Sequence, residues 1–307
     1  MEIESFAELV KDNVKKQLGS GYHVTVCDTD KNNGVVYTGL KVKKDDSDIA
    51  PMIYLNDQFK RYTDGDTTLS EITDYVTSVS KSKTPTVDIR KFLDYESVSE
   101  RIVYKLINTE WNSGLLEDIP HMEYLDLSIV FQYLMADGFD NTAFILIHNV
   151  HMKLWDVTTE DLFEAAEKNT RKLMGCDMKS MKDVFREIIR QETPEESDNN
   201  MHMTEFENRI PMYVLSNRCR VEGAACMIYP NLLSEICDKL KSSFYIIPSS
   251  IHEVLILPSD STDESREILT MIKDINDTQV SAEEILSYSL YYYDGKECKL
   301  VGTNQFV

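Results

Sequence analysis

Two clusters of side chains in this sequence could do chemistry. The first is His148-Asn149-Val150-His151. Two imidazoles three positions apart share one side of a helix and can hold a metal ion. His121 and the acids Glu160 and Asp161 are the further ligands such a site would draw on. The plainer reading is that His148 and Asn149 close a strand and cap the turn after it, while His151 packs beside Trp155. The second cluster is Ser249-Ser250 followed by His252-Glu253. Serine, histidine and glutamate together suggest the nucleophile, base and orienting acid of a hydrolase. A triad is defined by geometry, however, and no G-x-S-x-G elbow accompanies these residues. Pro248-Ser249-Ser250 reads more simply as a hairpin turn, with His252 and Glu253 opening the next strand.

Other chemistries find less support. There is no G-x-x-x-x-G-K-[ST] loop and no G-x-G-x-x-G, and no glycine stands between strand and helix in a phosphate-cradling pattern. This disfavours a P-loop nucleotidase or a Rossmann dehydrogenase, and no cofactor is expected. Cys27, Cys176, Cys219, Cys226, Cys237 and Cys298 form no C-x-x-C pair and match no zinc spacing. They read as free thiols in a reducing compartment.

Such side chains need elements to hold them. Ile3, Phe6, Ala7, Val10, Val14 and Leu18 recur at helical spacing, which predicts a helix over 2–18 that ends at Gly19. Asn32-Asn33-Gly34 between β-rich runs predicts a hairpin. Residues 50–55 read as a strand, 67–81 as a helix, 88–95 as a short helix and 102–107 as a strand. In 125–133, Leu125, Leu127, Ile129, Phe131 and Tyr133 alternate with Asp126, Ser128 and Gln132, with Val130 as the exception. That pattern predicts a strand with one buried face. Asp137-Gly138 then leads into AFILI at 143–147, predicted to pair antiparallel with it. Thr158-x-x-Asp161 and Ser180-x-x-Asp183 predict two helix starts. Further on, 212–216 and 224–229 read as strands and 231–240 as a helix. Residues 244–247 and 254–257 read as a strand pair, 264–276 as a helix and 290–301 as a hairpin around Asp294-Gly295. The fold class expected is α+β, with mostly antiparallel sheets and interleaved helices.

Composition adds a boundary. The 307 residues carry a net charge of −21 and 42% hydrophobic residues, enough for a folded core. Segment 192–208 has six acids and no Lys or Arg. It reads as an acidic linker between an N-terminal domain, 1–191, and a C-terminal one, 209–307. Phosphate-bearing partners attract basic surfaces, so neither nucleic acid nor an anionic membrane is expected as a partner. No apolar run is long enough to span a membrane and no leader is evident, so a cytoplasmic protein is expected.

DLSIVFQYL (126–134), AFILIHNVHMKLW (143–155), EAAEKNT (164–170), PMYVLSNR (211–218), AACMIYP (224–230) and FYIIPSSIHEVLILP (244–258) carry a resemblance. Over nearly its whole length the chain resembles an uncharacterised domain-of-unknown-function family of gut anaerobic bacteria, often found near mobile elements. The 126–170 block is also distantly similar to another uncharacterised bacterial family. The resemblance implies a bacterial cytoplasmic protein in two parts, and brings no activity and no catalytic residues with it. Three functions follow as expectations. One is a non-enzymatic module acting through a protein partner. Another is a metal-dependent or hydrolytic enzyme using His148/His151 or Ser249–Glu253. The third is an acidic mimic of DNA.

Overall fold

The structure, a computed structural model, describes residues 1–46, 50–82, 89–136, 142–192, 212–259 and 265–303. The chain divides into two compact units, Met1–Val87 and Asp88–Val307.

In the first unit, helix α1 (Ile3–Leu18) buries Phe6, Ala7, Val10 and Val14 on one face and stops at Gly19, whose φ of 81° lies in the left-handed region. Strands β1 (Tyr22–Asp30), β2 (Val36–Lys44) and β3 (Met52–Tyr54) form an antiparallel sheet in that order. The predicted Asn-Asn-Gly turn joins β1 to β2 as a single 3-10 turn, with Asn33 left-handed. Helix α2 (Asn56–Asp64) was not expected from the sequence; it presents Phe59 and Tyr62 to Phe6, both at 5.2 Å. Helix α3 (Leu69–Lys81) starts at a reciprocal cap. The Thr68 amide donates to Glu71, and the Glu71 amide donates to the Thr68 hydroxyl. Leu40, Ile53, Leu55, Ile72 and Val76 complete this core.

The second unit opens with the short helices α4 (Ile89–Phe92) and α5 (Tyr95–Ser99). A four-stranded sheet follows. Its central strand β6 (Leu127–Ala136) pairs with β4 (Ile102–Asn108) on one side. On the other side it pairs first with β5 (His121–Tyr124), which follows the short helix α6 (Ser113–Leu116), and then with β7 (Ala143–Leu146). The predicted antiparallel pairing of β6 with β7 is present, while its Asp137-Gly138 turn lies outside the described residues. The prediction of one buried face on β6 is corrected. Leu127 and Phe131 are fully buried, and so is Ser128 on the opposite face, with Gln132 nearly so. Both faces are interior: Ser128 and Gln132 share theirs with Val130 and Leu134, which pack into smaller apolar clusters of their own. Leu125, assigned to the apolar face, lies before the strand in an exposed left-handed turn.

Helices α7 (Asn149–Trp155) and α8 (Thr159–Met174) come next, the latter capped reciprocally by Thr158 and Asp161. Strand β8 (Asp177–Ser180) leads to α9 (Met181–Glu192), where the Asp183 amide donates to the Ser180 hydroxyl as the sequence suggested. After the undescribed stretch come β9 (Tyr213–Ser216), α10 (Leu232–Leu240), β10 (Phe244–Ile247), β11 (Val254–Pro258), α11 (Ser265–Gln279), β12 (Ser289–Tyr293) and β13 (Cys298–Thr303). They build a six-stranded antiparallel sheet in the order β13-β12-β10-β11-β9-β8. Of residues 224–229, expected as a strand, all but Tyr229 belong instead to a buried 3-10 helix, Gly223–Ile228, which Tyr229 closes in extended conformation. A short apolar run carries no period that separates the two. Packing decides here, because Gly223 lies so close to Ser216 and the His252 carbonyl that a Cβ would sit 2.1 and 2.5 Å from them.

The six-stranded sheet is covered on both sides, which explains the unbroken apolar runs FYII and VLIL. Phe244, Ile246, Val254 and Ile256 share a core with Ile102, Tyr104, Leu106 and Phe131 of the four-stranded sheet. Ile247, Leu255 and Leu257 face Ile268 and Ile272 of α11. Residues before and after the acidic stretch share one core, and the two compact units divide between Val87 and Asp88. Residues 193–211, which include most of that stretch, lie outside the described residues.

Candidate functional site

The chain leaves β7 through buried Ile147 and turns into α7 at His148, whose extended backbone makes it the helix cap. The cap is built from imidazoles. The His148 amide donates to Nδ1 of His151 at 3.0 Å, and the His148 ring meets Asp118 at 2.8 Å. Asn149 adds its own amide to the Asp118 carbonyl and its side chain to the Glu117 carbonyl. His151 lies against Trp155, ring centres 5.6 Å apart, and edge-on to Phe92 at 5.3 Å. Burial, and then the neighbouring His148, hold the His151 pKa below the usual histidine range, against the pull of Asp118. The neutral ring keeps Nδ1 free to accept. His121 stands apart on β5, exposed, with its ring against the Ile119 carbonyl. Among the described residues no group of three or more His, Cys, Asp or Glu side chains is arranged to hold a metal ion.

While α7 turns His151 and Trp155 inward, it presents Val150 and Leu154 outward, one turn apart and 63% and 54% exposed. Leu93 is 51% exposed; it follows Phe92, whose carbonyl accepts the Trp155 indole N–H at 2.9 Å. A groove of about 400 Å³ lies alongside, lined by Asn149, Met152, Lys153, Asp156 and Val157. Exposed carboxylates stand at both ends of the helix: Glu117 and Asp118 at its start, Asp156 and Glu160 at its end.

The second cluster also folds together, but its ring points away from the serines. Ser249 and Ser250 are buried, their strand-like segment held by backbone bonds to Glu284, Leu286 and Ser287. The Ser250 hydroxyl accepts the backbone amide of His252. The His252 ring accepts the Glu222 amide on Nδ1 at 3.1 Å, so its proton sits on Nε2, 3.3 Å from Glu284. Both ring nitrogens therefore face Glu222 and Glu284 instead of a hydroxyl to be activated. Glu253 turns toward a pocket of about 30 Å³, room for a water, with Asp177, Lys179, Ser216, Asn217 and Arg220 on its walls. Burial raises the Glu253 pKa, with the Glu284 charge adding to it and His252 and Arg220 opposing.

Sequence reasoning missed two further residues here. Lys105 and Glu222 form an ion pair at 2.9 Å, their side chains 17% and 14% exposed, and Gln132 donates to the same oxygen at 3.2 Å. Lys105 left a trace as the lone charge within the strand run IVYKLIN. Glu222 left none, because its position depends on backbone shape. It and Arg220 are left-handed, with φ of 55° and 53°, in a loop held by the buried Asn217 side chain against Val221. Non-glycine residues hold that conformation at a cost of about 1 kcal/mol or more each when the surroundings enforce it.

A model of a family of unknown function, DUF5688, matches residues 3–295. The chain belongs to this family. No curated protein and no solved structure matches the chain. For this family member, no helix among the described residues is long and apolar enough to cross a membrane.

Proposed function

We propose that this member of the family is a non-enzymatic binding module that receives a basic amphipathic helix of a partner protein on the outer face of α7. The observation that carries the reading is the exposed Val150–Leu154 pair beside the groove along α7. Two large aliphatic side chains one turn apart form an apolar strip that water solvates poorly. A helix-in-groove contact uses anchors at that spacing. Carboxylates at both ends of the strip and the net charge of −21 select a partner whose polar face is basic. The histidines support this reading, since their ring nitrogens serve to cap α7 and fix its orientation.

The test is a titration with an 18-residue Leu/Lys amphipathic peptide, followed by fluorescence anisotropy, against the native chain and a Val150→Asp, Leu154→Asp variant. Burial of two aliphatic side chains predicts at least a tenfold loss of affinity in the variant. Attraction by charge alone predicts the reverse, because the variant is more acidic. Equal or tighter binding by the variant would overturn the proposal.

A further inference from the structure

The β1–β2–β3 sheet of the first unit has two unlike faces. Alternation along β2 puts Thr38, Leu40 and Val42 on the side toward the helices, where Leu40 and Val42 join Val24 and Ile53 in the core with α1 and α3. The other side carries Tyr37, Gly39, Lys41 and Lys43. The register sets Met52 and Tyr54 of β3 beside Lys41 and Gly39, and His23 of β1 beside Lys43. Tyr37, Met52 and Tyr54 join none of the apolar clusters of the described residues, and Lys41 and Lys43 are exposed. The Tyr37 and Tyr54 rings meet edge-on, centres 5.5 Å apart. Lys31, the residue after β1, places Nζ 3.8 Å from the centre of the Tyr54 ring and 5.7 Å from that of Tyr37. Gly39 keeps the middle of the face low, since a Cβ there would lie 2.7 Å from the Ile53 carbonyl oxygen. The strands place no carboxylate on this face. Asp28 and Asp30 take the alternate positions of β1, and Asp28 accepts the Thr38 hydroxyl on the helix side at 2.8 Å. Asp45 stands past the end of β2, 3.1 Å from the His23 ring. Residues 1–87 hold 11 basic and 14 acidic residues, so most of the net charge of −21 lies outside this unit. The total that argues against a phosphate-bearing partner is carried mainly by other residues.

We propose that the outer face of the β1–β2–β3 sheet binds single-stranded nucleic acid. Lys31, Lys41 and Lys43 supply the positive charge that a phosphate backbone seeks. Tyr37 and Tyr54 supply rings on which bases stack, and base stacking on an aromatic ring tolerates any sequence. Lys31 covers one face of Tyr54, but a contact between an exposed ammonium and a ring is weak. An incoming phosphate takes the ammonium, and a base takes the ring it leaves. Stacking needs unpaired bases, so a duplex offers this face its phosphates alone. An acidic peptide answers the lysines and leaves the two rings unused. Lysines beside aromatic rings on an open sheet therefore favour the nucleic acid over the peptide.

The experiment titrates labelled oligo-dT and oligo-rU, each of about 12 nucleotides, with the full chain at about 50 mM salt and follows fluorescence anisotropy. A DNA duplex of the same length and a poly-glutamate peptide serve as competitors. At least one single strand should bind, and its affinity should fall with salt with a log–log slope of about −2, the value for roughly three neutralised phosphates. Binding by oligo-dT alone assigns DNA, and by oligo-rU alone RNA. Tyr37→Ala and Tyr54→Ala should each weaken binding about fivefold or more. Lys41→Gln combined with Lys43→Gln should weaken it and flatten the slope to about −0.7. Circular dichroism melts show whether each variant keeps the native fold, which is expected because both tyrosines lie outside the apolar core. The proposal fails if neither strand binds, or if folded tyrosine variants bind undiminished. It fails equally if the duplex or poly-glutamate competes as well as the single strand, a readout on the native chain that no variant has to fold for.

Discussion

Glu253 shows how a single side chain here trades stability for position. Its carboxyl is half-buried beside Glu284, and burial raises its pKa. The folded state therefore binds a proton more readily than the unfolded state, so this group lowers stability as pH rises from the ordinary glutamate range through its folded pKa. Glu253→Gln removes the cost of burying a charge while keeping the shape. It is expected to raise Tm by about 2–4 °C at pH 7.5, roughly 1 kcal/mol in a domain of this size, with the gain fading at pH 4. A variant less stable than the native chain at pH 7.5 would mean that Glu253 is held by a favourable partner. The pair Lys105–Glu222 is the opposite case, a charge matched at 2.9 Å in a nearly closed setting and secured by Gln132. Removing either partner alone leaves the other uncompensated, which is the expensive outcome for buried ions.

The 3-10 helix Gly223–Ile228 is the element on which the second unit turns. Its first residue carries the loop bearing Glu222, its middle carries Cys226, and it packs Ala224, Ala225 and Met227 into the core shared by both sheets. Gly223→Ala must displace Ser216, the His252 carbonyl and the Asn217 amide together, and is expected to cost roughly 1–3 kcal/mol in a urea titration. Gly114→Ala, with nothing within 4 Å of its new Cβ, should change little. An equal effect at both sites would show that the close packing at Gly223 is relieved without cost. This element was also the least legible part of the sequence. Period-2 and period-3.6 patterns located α1, α3, the β10–β11 pair and the terminal hairpin, since one-sided burial or flanking turn residues mark them. AACMI has neither mark, and α2, β5 and β8 are short elements whose residues mix polar and apolar types. The plainer reading of His148 as a cap and of His151 beside Trp155 was legible from the sequence. The amide bonds accepted by the His151 and His252 rings were not, because a backbone amide that donates to a ring nitrogen leaves no trace in residue spacing.

At the scale of the molecule, the net charge of −21 and the division at 87/88 frame any function. A charged surface raises encounter rates with oppositely charged partners and does not by itself choose among them. Choice needs a shaped apolar contact; in the function proposed above that contact is the outer face of α7, which the His148–His151 cap and the Trp155 anchor orient. The measurement closest to this claim is amide shift mapping of the full chain as the Leu/Lys peptide is added. The account predicts that the largest shifts fall on residues 149–157, and that they survive at a salt concentration that screens diffuse charge. Largest shifts elsewhere on the chain, or shifts at α7 that vanish with salt, would contradict it.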